Sequence, residues 1–327
     1  MLEKYIELLK NNKKKIILPE GDNEEILESV NTLLDKDIID IILLGNKELN
    51  TVKYPNLIKV TFINPEKSSF LDNYADRLYE LRKEKGITRE YAKKLLLNDY
   101  MYFACMMLLD KKADGIVSGI EHLSSDTIRP ALQLIKGKEK LVSSFFIIES
   151  NNKLLGSNGI FLFADCALNI NPNSEELSII AKQSINSFRK IVGDTPKLAF
   201  LSHSTKGSSN HIIVDKIKNA VELSKKLIPN EIIDGEMQLD AAIIPDIANV
   251  KNPNGTIKGD ANILIFPDID SGNIGYKLVE RFGNCKAFGP ITQGMNYPVN
   301  DLSRGSSVDD IIGVIVITAL QAMENMI

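Results

Sequence analysis

The sequence predicts an α/β protein in two portions, the first opening on a parallel sheet. Short apolar runs alternate with longer stretches of helical spacing along most of the chain. The first such group, Lys15–Leu18, Glu24–Leu34 and 38–44, reads strand–helix–strand, and a helical crossover implies parallel pairing. At 327 residues the chain is long enough for two cores, and two domains are the natural division.

Lys15–Leu18 (KIIL) is a buried strand closed by the turn Pro19-Glu20-Gly21-Asp22. Glu24–Leu34 follows as a helix, and 38–44 as a strand closed by Gly45-Asn46. Residues 69–85 and 89–111 carry long helical patterns, the second capped by Thr88. A strand at 113–118 precedes helical spacing over 128–135, where Arg129-Pro130 suits a helix start. The middle third has short apolar runs at 142–148, 162–165, Lys197–Leu201, 232–234 and 262–266. Helical patterns at 174–190, 211–227 and 272–281 lie among them. Because 308–326 reads as a closing helix, one domain is expected to draw on both ends of the chain. The expected division is 1–140 plus 295–327 for the first domain and 141–294 for the second.

Composition narrows the function. Hydrophobic residues make up 44% and charged residues 25%, as in an ordinary globular protein, and the net charge is −4. No basic block occurs beyond Lys13-Lys14-Lys15, so nucleic acid is not expected as a partner. No apolar run reaches the roughly 18 residues that span a bilayer, so no membrane partner is expected either. Residues 1–15 lack a signal-peptide apolar centre, and a cytoplasmic location is expected. Cys105, Cys166 and Cys285 are odd in number and far apart, which fits reduced thiols. With three scattered histidines, no metal site is expected.

Ligands of open parallel sheets bind beyond the carboxyl ends of the strands. The stretch Asn300-Asp301-Leu302-Ser303-Arg304-Gly305-Ser306-Ser307-Val308-Asp309-Asp310 puts a hydroxyl, a guanidinium and carboxylates at a loop-to-helix junction. Helix N-termini favour anions, and an arginine there can clamp phosphate or carboxylate in a fork. Asp310 follows Ser307 by three, a spacing that also reads as a capping box. The Ser202–Ser209 loop, with Ser204, Thr205, Gly207 and Ser208, has the small hydroxyls and glycine that suit phosphate, although taken alone it reads more readily as a plain helix cap. Neither GxxxxGK[ST] nor GxGxxG after a strand is present.

Six segments in order over nearly the whole chain make the sequence resemble the phosphate acetyltransferase (phosphotransacetylase) family, within the phosphate acetyl/butyryltransferases. They are ILPEGD at 17–22, GIVSG at 115–119 with DTIRPALQLIK at 126–136, LSHSTKGS at 201–208, DGEMQLDAA at 234–242, IFPDIDSGNIGYKLV at 265–279 and GPITQGMNYPVNDLSRG at 289–305. The resemblance implies two three-layer α/β domains with a cleft between them, similar to isocitrate and isopropylmalate dehydrogenases, and a homodimer. It implies transfer of an acetyl group between phosphate and coenzyme A, with coenzyme A as substrate and no tightly bound cofactor. The family's acid/base aspartate, arginine and serine fall on Asp310, Arg304 and Ser303. Its further arginines match Arg129 and Arg82, the latter through LRKEKGIT at 81–88. Asn300 and the 202–208 hydroxyls join the substrate-binding set. His203 departs from the aromatic residue the family tends to carry between its serines. Phosphate butyryl transfer, a decarboxylating dehydrogenase on a similar fold and a non-catalytic acetyl-CoA-sensing domain are the alternatives.

Acyl transfer to a thiol needs the thiolate, and a free thiol has a pKa near 8.5. Asp310 would take the thiol proton. Arg304 would hold acetyl phosphate, and Ser303 would donate to the developing oxyanion and the leaving phosphate.

Overall fold

The computed structural model describes residues 5–46, 48–135, 137 and 139–323. The last residues of the 308–326 pattern and Lys136 of the 126–136 motif lie outside the described residues. In chain order the elements are α1 (Ile6–Asn11), β1 (Lys15–Leu18), α2 (Glu24–Leu34), β2 (Asp40–Leu44), β3 (Thr61–Ile63), α3 (Leu71–Arg82), α4 (Arg89–Asn98), α5 (Tyr100–Leu109), β4 (Gly115–Ser118) and α6 (Ser124–Leu134). There follow β5 (Ser143–Glu149), β6 (Ile160–Ala164), α7 (Ser174–Ile191), β7 (Lys197–Leu201), α8 (Ile212–Leu227), β8 (Ile232–Met237), α9 (Leu239–Ile243), α10 (Pro245–Lys251), β9 (Ile263–Ile265), α11 (Ile269–Arg281), β10 (Lys286–Gln293), β11 (Val299–Asp301) and α12 (Val308–Ala322). The chain divides into two compact units, Met1–Glu139 with Met295–Ile327, and Lys140–Gly294.

The first unit is a five-stranded sheet in the order β11-β4-β1-β2-β3, parallel throughout. Ile16, Ile17 and Leu18 of β1 are all fully buried, which requires helices on both faces. The face bearing Ile17, Ile42 and Ile116 is covered by residues of α3 to α6, where the rings of Tyr74 and Phe103 meet edge to face at 5.2 Å. On the other face lie α2 and α12. Residues Ile311 to Leu320 of α12 are buried on every side of the helix.

Two helical readings change. The 89–111 pattern is two helices, because Asp99 adopts an extended backbone and its carboxylate accepts the Met101 N–H, capping α5. Helix α6 starts at Ser124, so Pro130 lies inside the helix and not at its first position. Proline there removes one i→i−4 bond, which local pattern alone reads as a boundary.

The second unit carries six strands in the order β10-β5-β6-β9-β7-β8. The pairs β6/β9, β9/β7 and β7/β8 are parallel, whereas β10/β5 and β5/β6 are antiparallel. The sheet is therefore mixed, whereas the parallel pairing expected of the opening strand–helix–strand group holds in the first unit. The cause of the mixing is visible in the short β5–β6 link, where Gly156 and Gly159 adopt positive φ in a turn too short for a crossover. Phe146, Phe161, Phe163 and Phe266 build the core of one face, with Tyr276 of α11 stacked on Phe146 at 4.0 Å.

Candidate active site

In the first unit, β11 delivers the Ser303–Asp310 stretch. This three-residue strand is held in register by Asn300↔Val117 and Asp301↔Ser118 on β4. Asn300 is fully buried, and its amide nitrogen donates to Thr318 Oγ1 at 2.8 Å and Gln321 Oε1 at 2.7 Å. Its side chain fastens β11 to α12, a bracing position below the loop. Leu302 N donates back to Ser118 O at 2.8 Å, and the chain then turns outward. Ser303 and Arg304 are exposed, and among the described residues Arg304 has no hydrogen-bond or ion-pair partner. A cation left unpaired at a strand end beside a helix start suits an anionic ligand. Ser303 Oγ lies 3.5 Å from the Gly305 N–H, so its own hydrogen can still be donated.

Asp310 occupies the third position of α12. Its Oδ2 accepts from the Ser307 N–H at 2.9 Å and the Ser307 hydroxyl at 2.7 Å, and its own N–H donates to Ser307 Oγ. The box therefore forms, with the aspartate half-buried. Among the described residues Oδ1 makes no hydrogen bond, so one oxygen orients the carboxylate and the other can accept a proton. Capping and proton transfer use different atoms of the same group.

Arg129 is exposed on α6, with a loose 4.0 Å pairing to Asp126. Arg82 ends α3 and is half-buried. Both arginines act on the Tyr102 hydroxyl: burial and Asp99 push its pKa up, and the two positive charges oppose them. Arg82 at the end of α3 and Arg129 on α6 therefore both contribute positive potential near α5. Burial raises the Asp99 carboxyl pKa, while the Met101 N–H, His122 and Arg129 pull it down.

In the second unit, residues 202–209 connect β7 to α8. Ser204 is fully buried and Thr205 nearly so, whereas Ser202 is half-buried and Gly207 and Ser208 are exposed. Most of the expected phosphate donors are already paired, within the loop or with β8. Ser204 Oγ and Gly207 N–H both donate to Glu236 Oε1, at 3.0 and 2.7 Å. Thr205 N donates to Ser208 Oγ, and Ser209 N to Ser204 Oγ. The bonds to Glu236 anchor the loop to β8 through a protein carboxylate. Glu236 is 2% exposed and escaped sequence reading, although an acid inside the apolar run of β8 was a signal. Lys206 donates to Asp234 and to Gly235 O, tying the same loop to β8. Burial opposes ionisation of Asp234, but bonds from Lys206, Asn252 and the Gly235 N–H outweigh it and hold its pKa down at about 2. His203 is exposed, with Nε2 3.2 Å from Ser209 Oγ.

Glu20 also went unread. It follows β1, is 5% exposed, and accepts backbone N–H groups from residues 119, 120 and 121. Among the described residues no group of three His, Cys, Asp or Glu side chains assembles for a metal.

The model of the phosphate acetyl/butaryl transferase family matches residues 1–319. A phosphate acetyltransferase from Thermoanaerobacterium thermosaccharolyticum is 50% identical over 98% of this chain and 99% of its own. The structure resembles that of a phosphotransacetylase from Streptococcus pyogenes, with a TM-score of 0.87 and 40% identity over 98% of each chain. A 4-hydroxythreonine-4-phosphate dehydrogenase from Klebsiella pneumoniae shares the fold alone, at a TM-score of 0.53 and 10% identity, over 95% of this chain and all of its own. With the family model spanning almost the whole chain and half of all residues shared with a full-length relative, the chain belongs to the phosphate acetyl/butaryl transferase family of enzymes.

Proposed function

We propose that this chain is a phosphate acetyltransferase that interconverts acetyl-CoA plus phosphate with coenzyme A plus acetyl phosphate. The observation that carries the reading is the run from Ser303 to Asp310, where an exposed hydroxyl and a guanidinium without a partner among the described residues lead into the capped N-terminus of α12. In the direction of acetyl-CoA, Asp310 Oδ1 takes the thiol proton and the sulfur attacks the acetyl carbonyl carbon. The carbon–oxygen bond to phosphate then breaks, and phosphate leaves with the bonding pair. Arg304 balances charge on the phosphoryl oxygens, and Ser303 donates to the oxyanion. Direct attack in a ternary complex needs no covalent enzyme intermediate, and positioning supplies much of the rate. Arg129 and Arg82 provide further cationic contacts for phosphate or coenzyme A. In the second unit, Ser202 and Ser208 are the hydroxyls of the set best placed for a ligand, and Ser204, Thr205 and Gly207 shape their loop.

Coenzyme A enters as substrate. A second copy of the chain is the proposed partner, supported by Ile274, Leu278 and Phe282, which form an exposed apolar stripe on the outer face of α11 and just beyond it. The three free cysteines, two of them buried, fit a reducing compartment, and we infer the cytoplasm. Among the described residues no helix is long and apolar enough to cross a membrane.

The test is coenzyme A acylation by acetyl phosphate, followed as thioester absorbance, with butyryl phosphate in parallel. Turnover faster with acetyl phosphate is expected. Preference for butyryl phosphate would change the acyl group, and turnover with neither would overturn the reading.

A further inference from the structure

The ends of β1 and β4 meet at one buried carboxylate, and the end of β11 packs against the loop it holds. Glu20 lies two residues past the end of β1, and its Oε2 accepts the N–H of Gly119 at 2.8 Å and of Ile120 at 3.2 Å. Its Oε1 accepts the N–H of Glu121 at 2.9 Å. Successive amides converging on one point make a concavity for negative charge, here filled by the protein itself. The same loop is fixed from its other side. Gly119 has φ +118°, and a Cβ there would lie 2.1 Å from Asp301 Oδ1 and 2.9 Å from the backbone of Leu302. No side chain fits in that gap, so the loop leaving β4 runs directly against the end of β11. Leu302 N also donates to Ser118 O at 2.8 Å. The outer edge is tied by Asn23 Nδ2, which donates to Glu121 Oε1 at 3.0 Å, and His122 Nε2 lies 3.9 Å from Glu20 Oε1.

Two segments leave this junction. One is α6, which carries Arg129; the other is Leu302 to Arg304. A buried carboxylate is costly without donors, and here every donor comes from the one loop that touches both segments. We propose that Glu20 is a positioning residue: by holding residues 119–121 it fixes the placement of the Arg129 helix and of Ser303–Arg304. Its consequence for turnover rests on the acetyl-transfer reading above, whereas its consequence for the backbone does not.

Glu20→Gln keeps the side-chain volume but presents an amide with donors of its own to three N–H groups. In the full chain it is expected to lower kcat about 10- to 100-fold, the scale of an ångström-level misplacement. Combined with Arg129→Ala, the loss should be smaller than the product of the two single losses, because both act through one helix. A purely structural Glu20 gives a simple product, and that result would overturn the proposal. Amide hydrogen exchange supplies a readout that needs no turnover. Glu20→Gln should speed exchange at least tenfold at 119–121 and at 303–306, with no change in the strands of the second unit. Unchanged exchange at 303–306 sinks the idea even if the wild-type chain proves inactive, an outcome that would separately sink the acetyl-transfer reading. Should the glutamine variant fail to fold, Glu20→Asp, which keeps the charge but retracts it by one methylene, carries the same two measurements.

Discussion

Replacing Asp310 with asparagine separates its two roles. The cap is weakened and not lost, because the amide oxygen can still accept from Ser307 N and Oγ, now at 2.9 and 2.7 Å from the carboxylate. What disappears is one negative charge in the first turn of α12, worth about 0.3–1 kcal/mol. For a domain of this size the thermal midpoint should fall by at most about 2–4 °C. Set against a typical stability of about 5–15 kcal/mol, such a loss leaves the folded fraction at 25 °C unchanged. Removing a general base, by contrast, costs about 10²- to 10⁴-fold in rate, or roughly 3–5 kcal/mol of barrier. The assay is thioester formation from acetyl phosphate and coenzyme A, with thermal unfolding recorded on the same preparations. One feature belongs to base catalysis alone. A thiol with pKa near 8.5 ionises unaided as pH rises, so the deficit of the variant should shrink markedly between pH 7 and 9. A variant within about threefold of wild-type kcat at pH 7, despite the expected drop in midpoint, would refute the base assignment and leave Asp310 a cap.

Arg304→Ala should raise KM for acetyl phosphate about ten- to hundredfold, the loss of one or two charge-assisted bonds at about 1.5–3 kcal/mol, while the thermal midpoint stays within a degree or so, because the guanidinium has no protein partner among the described residues; steady-state kinetics with both substrates checks this. Asp234 is held ionised down to about pH 2, against an ordinary value of 3.8. Its stabilising contribution is thus complete above about pH 4 and lost as pH falls from there to about 2. Lys206→Met removes the cation opposite it, so acid unfolding followed by circular dichroism should begin at higher pH than in the wild type. Phe282→Asp places a charge on the apolar stripe of α11, where Phe282 is 86% exposed. The variant should elute as a monomer if a second copy covers that face, and identical elution of the two proteins would count against it.

Much of the fold was legible in short range. Helix α2 begins and ends where the apolar spacing of Glu24–Leu34 places it, with Asn23 accepting the Ile26 N–H. Strand β7 matches its apolar run, Lys197–Leu201. The Thr88 cap on α4 and the Ser307 cap on α12 form as their spacing implies. Such features depend on residues three or four apart, and sequence displays them directly.

Other elements depend on partners far away in the chain. Strand β11 is only Val-Asn-Asp, with no apolar run to mark it; pairing with β4 and the bonds of Asn300 to α12 make it a strand. The antiparallel edge of the second sheet arises because β10 returns beside β5 from more than a hundred residues on. The candidate site divides in the same way. The motif around Ser303, Arg304 and Asp310 could be read from the sequence, because it is contiguous and sits at a helix start. Glu20 and Glu236 could not, because their meaning lies in N–H and O–H groups of loops about 100 and 30 residues away. The sequence by itself determined most of the longer helices, most strands, the capped start of α12 and the family. Only the tertiary structure decided strand order and direction, the commitment of Ser204 and Gly207 to Glu236, and the junction at Glu20. A hydrogen bond between distant residues leaves no periodicity behind, and a buried carboxylate looks like an exposed one until its donors are in place.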